Sequence, residues 1–120
     1  GITLTGALLP DAPISDGVLP VRLAWTFDAP VTPQTIRFIK ALDADGNPVT
    51  GLDTAPGAFQ AGDALAERLD LDVTGISGAL TVYVGWYTLP DAVRLPVLTE
   101  GVRGAADGWA LLGTVEVGIP

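Results

Sequence analysis

The sequence lacks cysteine and histidine altogether, and each absence excludes a class of chemistry. Without cysteine the chain forms no disulfide, carries no thiol nucleophile and offers no thiolate to a metal ion. Without histidine it assembles neither a Ser-His-Asp or Cys-His catalytic group nor an imidazole-ligated zinc site. A glycine-rich phosphate-binding loop is also missing. We therefore expect a protein that is not an enzyme and that uses no cofactor.

Methionine is absent as well, and position 1 is glycine. Because translation starts at methionine, we expect Gly1 to follow an upstream segment of a longer polypeptide. Basic residues are scarce: six Lys and Arg stand against fourteen Asp and Glu, for a formal net charge of −8. Binding to nucleic acid or to an anionic membrane surface depends on clustered basic side chains, so we expect neither partner. No apolar run approaches the roughly 18 residues that cross a bilayer, which argues against direct membrane insertion.

What the chain does contain is enough apolar material for a core. Its 120 residues are 48% hydrophobic, which is typical of one domain, here residues 1–120. Glycines and prolines interrupt it every 8 to 12 residues or so, about the spacing of short strands in a sandwich. We predict an all-β, antiparallel, Ig-like or fibronectin-like β-sandwich of seven to nine strands. The predicted strands are residues 2–9, 18–28, 35–42, a short strand near Val49, 64–74, 80–88, 93–98 and 110–117.

Alternation within these strands predicts the core. Trp25 and Trp86 fall on inward positions of neighbouring layers, where each indole N–H needs a partner that we expect to be a backbone carbonyl. Residues 35–42 are apolar on both faces, which favours a central strand covered on both sides. The stretch 61–71 also fits a helix, but its period of 2 is cleaner than a helical period. The inward residues predicted for strands 18–28 and 80–88 are Val21, Leu23, Trp25, Phe27, Leu80, Val82, Val84 and Trp86.

The segment Asp43-Ala44-Asp45-Gly46-Asn47-Pro48 has two interpretations. The alternating oxygens of Asp43, Asp45 and Asn47 suit a calcium ion. However, an EF-hand loop needs glycine at its sixth position, and Gly46 is the fourth residue from Asp43. Asp-Gly and Gly-Asn tolerate positive φ and are typical of hairpin turns, which makes the turn the favoured interpretation.

Three aromatic residues are candidates for a sugar-binding surface. Tyr83 and Tyr87 alternate with the inward residues of strand 80–88, so we expect them to project from the opposite face. With Trp109 they would form an aromatic platform for a sugar ring, as in carbohydrate-binding modules. The alternative, which we favour, is ordinary cross-strand packing or coverage by a loop.

Acidic side chains suggest a further hypothesis, a hydrolase that uses paired carboxylates. Nothing in the sequence brings two of them together, and Asp70 and Asp72 alternate with core residues, which predicts a solvated face. On strand 35–42, Arg37 and Lys40 are interpreted as structural ion-pair donors rather than ligand contacts. The candidate carboxylates are Asp28, Glu67, Asp70, Asp72 and Glu116.

From residue 37 onward, several segments occur in an order that resembles a known domain. They are residues 37–49, a strand running into an Asp-Ala-Asp-Gly turn, then 53–57, 80–87 (Leu-Thr-Val-Tyr-Val-Gly-Trp-Tyr), 94–97 (Arg-Leu-Pro-Val) and 111–117 (Leu-Leu-Gly-Thr-Val-Glu-Val). This pattern resembles the β-sandwich domain at the C-terminal end of some bacterial multi-spanning membrane proteins that resemble dolichyl-phosphate-mannose-type glycosyltransferases. The resemblance implies an extracytoplasmic accessory domain attached to a membrane enzyme, and it transfers no active-site residue.

The leading hypothesis is a non-catalytic, extracytoplasmic accessory or interaction domain of a larger, glycosyltransferase-like membrane protein. Its partner is then the rest of the parent polypeptide. The alternative is a carbohydrate-binding module that uses Tyr83, Tyr87 and Trp109 and has a glycan as its partner.

Overall fold

The computed structural model describes residues 2–91, 93–95, 97–99, 105–106 and 109–118. This part of the chain folds into strands alone, and it holds no helix with the length and apolarity to cross a membrane. Seven strands have seven or more residues and three are shorter, which confirms the predicted all-β class. The strands are β1 (Ile2–Leu8), β2 (Val18–Phe27), β3 (Thr35–Leu42), β4 (Pro48–Thr54), β5 (Ala64–Asp72), β6 (Gly78–Thr88), β7 (Val93–Leu95), β8 (Val97–Thr99), β9 (Ala105–Ala106) and β10 (Trp109–Val117).

Two sheets pack against each other as a β-sandwich. The smaller sheet has the order β5-β2-β1-β8, and the larger sheet has the order β4-β3-β6-β10-β9. β7 pairs with the end of β6, beyond the residues that β10 reaches. Paired strands run antiparallel except for β1 and β8, which are parallel. The long strands thus form the predicted antiparallel sandwich, and a short parallel edge strand is added to it.

The core lies between the sheets and is built from alternate residues of their strands. Each of the eight predicted inward residues of β2 and β6 is at most 3% exposed. The rings of Trp25 and Trp86 meet edge to face, with centroids 5.3 Å apart and planes at 82°. Edge-to-face contact is a favoured geometry for aromatic pairs, since the positive ring edge meets the negative ring face. Strict alternation therefore predicted the interior of both central strands.

Strand β3 is covered on both faces, as the sequence predicts. Ile39 points into the core and is 0% exposed, while Phe38 lies on the outer face of the larger sheet and is only 2% exposed. β3 also has a partner along each edge, β4 on one side and β6 on the other. β3 therefore has neighbours on both faces and along both edges.

Strand β4 is longer than predicted. We expected a short strand near Val49, but β4 runs from Pro48 to Thr54. Most of its residues are exposed because it is an edge strand, so it has little apolar alternation. Gly51 lies directly against β3, where a Cβ atom would sit 2.6 Å from the carbonyl oxygen of Ile39. Glycine is thus needed for the close approach of β4, although it weakens the strand signal in the sequence.

The predicted strand 93–98 is two strands in different sheets. β7 pairs with β6 in the larger sheet, and β8 pairs with β1 in the smaller sheet. The chain therefore crosses from one layer to the other at this point. The residues between the predicted strands 93–98 and 110–117 fall largely outside the described residues. Among those that are described, Ala105–Ala106 pairs with β10 as β9.

Candidate functional site

A buried ion pair joins the two sheets. The side chains of Arg37 on β3 and Glu67 on β5 are 3% and 12% exposed. Nη1 of Arg37 donates to Oε1 of Glu67, and Nη2 donates to Oγ1 of Thr54 at the end of β4. The second carboxylate oxygen of Glu67 accepts a hydrogen bond of 2.8 Å from Nε1 of Trp25. These contacts confirm Arg37 as a structural ion-pair donor and occupy both oxygens of Glu67.

Electrostatics in this network follow from burial. Desolvation lowers the pKa of Arg37, while the charge of Glu67 and its hydrogen bond act in the opposite direction. A guanidinium keeps its proton under such shifts, so Arg37 stays cationic at neutral pH. A full positive charge therefore lies between the sheets, against the carboxyl group of Glu67.

Two expectations about this region need correction. The indole N–H of Trp25 donates to a carboxylate, whereas a backbone carbonyl was predicted. Trp86 has no partner for its Nε1 among the described residues, although one was predicted there too. A structural role for Glu67 was not predicted, yet a signal exists: Glu67 is two residues from both Leu65 and Leu69 and so shares their inward face of β5.

Residues 43–47 form the hairpin turn between β3 and β4, and Pro48 begins β4. Oδ1 of Asp43 accepts hydrogen bonds of 2.9 Å from the backbone N–H groups of Asp45 and Asn47. Gly46 has a φ of 83°, a region that glycine enters without strain. This carboxylate oxygen, considered above as a calcium ligand, therefore stabilises the turn. Within the described ranges no three acidic side chains are grouped as a metal site.

Tyr83 and Tyr87 lie on the outer face of the larger sheet, as predicted, and both are half-buried. Phe38 of β3 lies on the same face, and its ring centroid is 6.0 Å from that of Tyr87, with planes tilted by 32°. We call the surface formed by Phe38, Tyr83 and Tyr87 the aromatic face. Phe38 was predicted to be covered, but its position beside the tyrosines follows only from the register of β3 and β6.

The third predicted platform residue, Trp109, is the first residue of β10. Its backbone pairs with Gly85, which lies between Tyr83 and Tyr87 on β6. The backbone register thus brings position 109 next to the aromatic face. The side chain of Trp109 lies outside the described residues.

Two charged groups border the aromatic face. Oη of Tyr87 donates a hydrogen bond of 2.8 Å to Oδ2 of Asp53 on β4. This bond raises the pKa of Tyr87, because a carboxylate acceptor favours the protonated phenol, and desolvation and the charge of Asp53 add to the effect. Nζ of Lys40 lies 5.6 Å from the ring centroid of Phe38, within range of a cation–π contact. Apolar rings therefore stand beside one cationic and one anionic group.

Two other carboxylates considered for hydrolysis make exposed local contacts. Asp70 accepts a hydrogen bond of 2.9 Å from Nε of Arg68. Asp72 accepts one of 3.0 Å from the backbone N–H of Thr74, which lowers the pKa of Asp72. The general acid of a glycosidase needs a raised pKa, so the shift at Asp72 has the wrong sign for that role. Both residues face outward, as predicted.

Comparison with known proteins supports the fold. No family model matches the sequence, and no curated protein matches it. Among solved structures the chain is similar to the crystal structure of the C-terminal domain of Wzt, with a TM-score of 0.60 and 12% sequence identity. The match covers 94% of this chain and 74% of that one. At this identity the likeness shows the fold alone, so the link to glycosyltransferase-like membrane proteins stays a prediction. The chain has the fold of a C-terminal β-sandwich domain of another protein.

Proposed function

We propose that this chain is a non-catalytic accessory domain of a larger extracytoplasmic protein, and that it acts by binding. The observation that carries the proposal is that the buried charged residues bind each other and thereby join the two sheets. Arg37 and Glu67 hold the two sheets together, and both oxygens of Glu67 are occupied by Arg37 and Trp25. The likeness to a domain that is itself the C-terminal part of another protein supports the accessory role.

The parent protein that fits best is a bacterial membrane protein of the glycosyltransferase-like type. The support is the order of motifs from residue 37 onward, including Arg94-Leu95-Pro96-Val97 and the closing strand 111–117. In such a protein the chemistry belongs to the membrane-embedded part. This domain would then stand outside the membrane and contact a partner or a substrate chain.

The parent gene tests this placement. We expect several membrane spans upstream of Gly1, and cleavage of this domain by a protease added outside intact cells. A secretion signal ending directly before Gly1 would contradict attachment to a membrane enzyme. Protection of the domain from external protease in intact cells, with cleavage after lysis as the control, would contradict the extracytoplasmic placement.

Carbohydrate binding is the second candidate, and the aromatic face favours it. Tyr83 and Tyr87 share that face, with Lys40 and Asp53 beside them. Sugar-binding sites combine flat apolar rings, which meet the C–H face of a pyranose, with a few polar groups for its hydroxyls. This arrangement could hold one sugar ring on the sheet surface.

A glycan array followed by calorimetry tests this candidate. We expect a neutral oligosaccharide to bind, and Tyr87→Ala to weaken binding roughly tenfold, since an aromatic contact contributes on the order of 1 kcal/mol. Thr26→Ala, on the exposed face of the other sheet, is the matched control and should bind like the unaltered protein. Absence of binding to every glycan, or equal binding by Tyr87→Ala, would remove this candidate.

A further inference from the structure

The outer face of the smaller sheet carries a shallow trough of about 490 Å³. Its floor is a row of small residues across three strands, in which Gly6 pairs with Ala24 and Ala24 pairs with Ala66. The next row along the strands is Leu8, Arg22 and Arg68, again paired in register. A volume of this size lies within the range of small-molecule binding sites.

The trough continues past Leu8 and Arg22. These two residues also line an adjoining depression of about 290 Å³, which reaches Pro20 and Asp11. From Ala24 to Pro20 the strand rises roughly 13 Å, at about 3.3 Å per residue. An extended ligand rather than a single compact group therefore matches the shape.

Two arginines place positive charge along the trough. Arg22 and Arg68 stand directly opposite each other on adjacent strands, an arrangement that is unfavourable for like charges. Nε of Arg68 donates to Asp70, and its two terminal nitrogens make no hydrogen bond within the described residues. Arg22 forms no ion pair within the part of the chain that the structure describes. Glu67 also borders the trough, but its carboxylate is held by Arg37 and Trp25.

An anion placed between Arg22 and Arg68 would relieve their repulsion and receive charge-assisted hydrogen bonds. The small floor beside them suits the flat C–H face of a ring. A peptide strand finds little there, because β2 is already paired on both sides and offers no free backbone groups along the floor. The ligand chemistry that matches both features is a sugar ring that bears a carboxylate.

We propose that this trough binds an acidic oligosaccharide, with Arg22 and Arg68 contacting a uronate carboxylate and the Gly6-Ala24-Ala66 row supporting the ring. The proposal rests on the glycan-binding function proposed above, but it uses the opposite sheet. The two sites differ in the ligand they select: charged sugars for the trough and neutral ones for the aromatic face.

Calorimetry with a short oligogalacturonate, and with the same oligosaccharide after reduction of its carboxyls to alcohols, tests the proposal. We expect the acidic form to bind at least roughly tenfold more tightly than the reduced form, because hydrogen bonds to charged groups contribute about 1.5–3 kcal/mol. Arg22→Ala should weaken binding of the acidic form by a similar factor, and Arg22→Lys by less, since a lysine keeps the charge and loses the planar fork.

A steric variant separates shape from charge. Ala24→Leu fills the floor without changing the charge, and we expect it to abolish binding of the acidic form. Thr26→Leu, on the same face of β2 and beyond the trough, is the matched control and should bind normally. The proposal is overturned if the acidic form does not bind, if Arg22→Ala and Ala24→Leu bind like the unaltered protein, or if oligoglutamate binds equally well. If neutral glycans still bind in a Tyr87-dependent way, failure of these tests overturns the trough proposal alone. Failure of the trough proposal is therefore distinguishable from failure of the glycan-binding function proposed above.

Discussion

On the outer face of the larger sheet, large side chains of β3 and β6 cover one another, whereas the central row on the outer face of the smaller sheet consists of small residues. Phe38 is 2% exposed on the outer face of its sheet, beside Tyr87. Ala24 and Ala66 occupy the central row of the other outer face and leave a trough above them. The two sheets therefore share one core but differ in their outer faces, one covered by large side chains and the other bearing a trough. One outer face adds to stability, and the other leaves space for a ligand.

The largest expected effect on stability comes from breaking the ion pair between Arg37 and Glu67, which joins the two sheets. Glu67→Ala leaves Arg37 buried without its counter-charge and Trp25 without an acceptor. We expect a loss of about 4 kcal/mol in the free energy of unfolding, as for other buried ion pairs that lose one partner. Urea denaturation followed by Trp fluorescence measures it. The double variant Arg37→Met with Glu67→Leu should recover most of the loss, and a double variant as unstable as Glu67→Ala would contradict this account.

The next effect tests whether the aromatic face contributes to the fold. Phe38→Ala removes a ring that is nearly fully buried, and we expect the free energy of unfolding to fall by about 3 kcal/mol. Thr26→Ala, an exposed residue on the outer face of the smaller sheet, should change it by less than about 0.5 kcal/mol. Equal effects of the two variants in urea denaturation would remove the contrast between the two faces.

A smaller effect concerns the proton of Tyr87. Because Asp53 raises the pKa of Tyr87, the folded state holds this proton more tightly than the unfolded state does. The stabilisation is present below the unfolded pKa of about 10 and is lost as the pH rises through the folded pKa. Asp53→Asn should lower the pKa of Tyr87. Tyrosinate absorbance measures it in a Tyr83→Phe background, where Tyr87 is the remaining tyrosine; an unchanged titration would argue against the contact.

The smallest effect is expected at the trough. Arg22→Ala removes one of two like charges that face each other, so the free energy of unfolding should stay within about 0.5 kcal/mol of the unaltered value or rise slightly. Thermal unfolding at low ionic strength is the measurement, with Arg68→Ala as the companion variant. A loss above about 1 kcal/mol would show that Arg22 stabilises the fold, and would weaken the view that this face is free for a ligand.

Much of the fold was predictable because alternation is a local property of a strand. The inward residues of β2 and β6 and the bounds of β3 follow from the sequence alone. The turn at 43–48 was predictable for a similar reason, since Asp-Gly and Gly-Asn set the backbone locally. Strand β4 was predicted too short because an exposed edge strand shows little apolar alternation, and Gly51 reads as a strand breaker.

The candidate sites were predicted less completely. Tyr83 and Tyr87 could be placed on one face, but their neighbour Phe38 and the partner Asp53 come from other strands. The trough could not be predicted, because Gly6, Ala24 and Ala66 are scattered along the chain and meet only through strand register.

Residue pattern and composition are enough to establish the all-β class and the alternation that buries Trp25 and Trp86, and to exclude histidine and cysteine chemistry. The strand order, the pairing of Glu67 with Arg37, and the difference between the filled and the open outer face emerge from the folded molecule alone. The physical reason is range: side-chain alternation and turn preference depend on neighbours along the chain. Sheet order and cross-strand contacts depend on residues far apart in sequence, and their pairing is fixed only when the whole core packs.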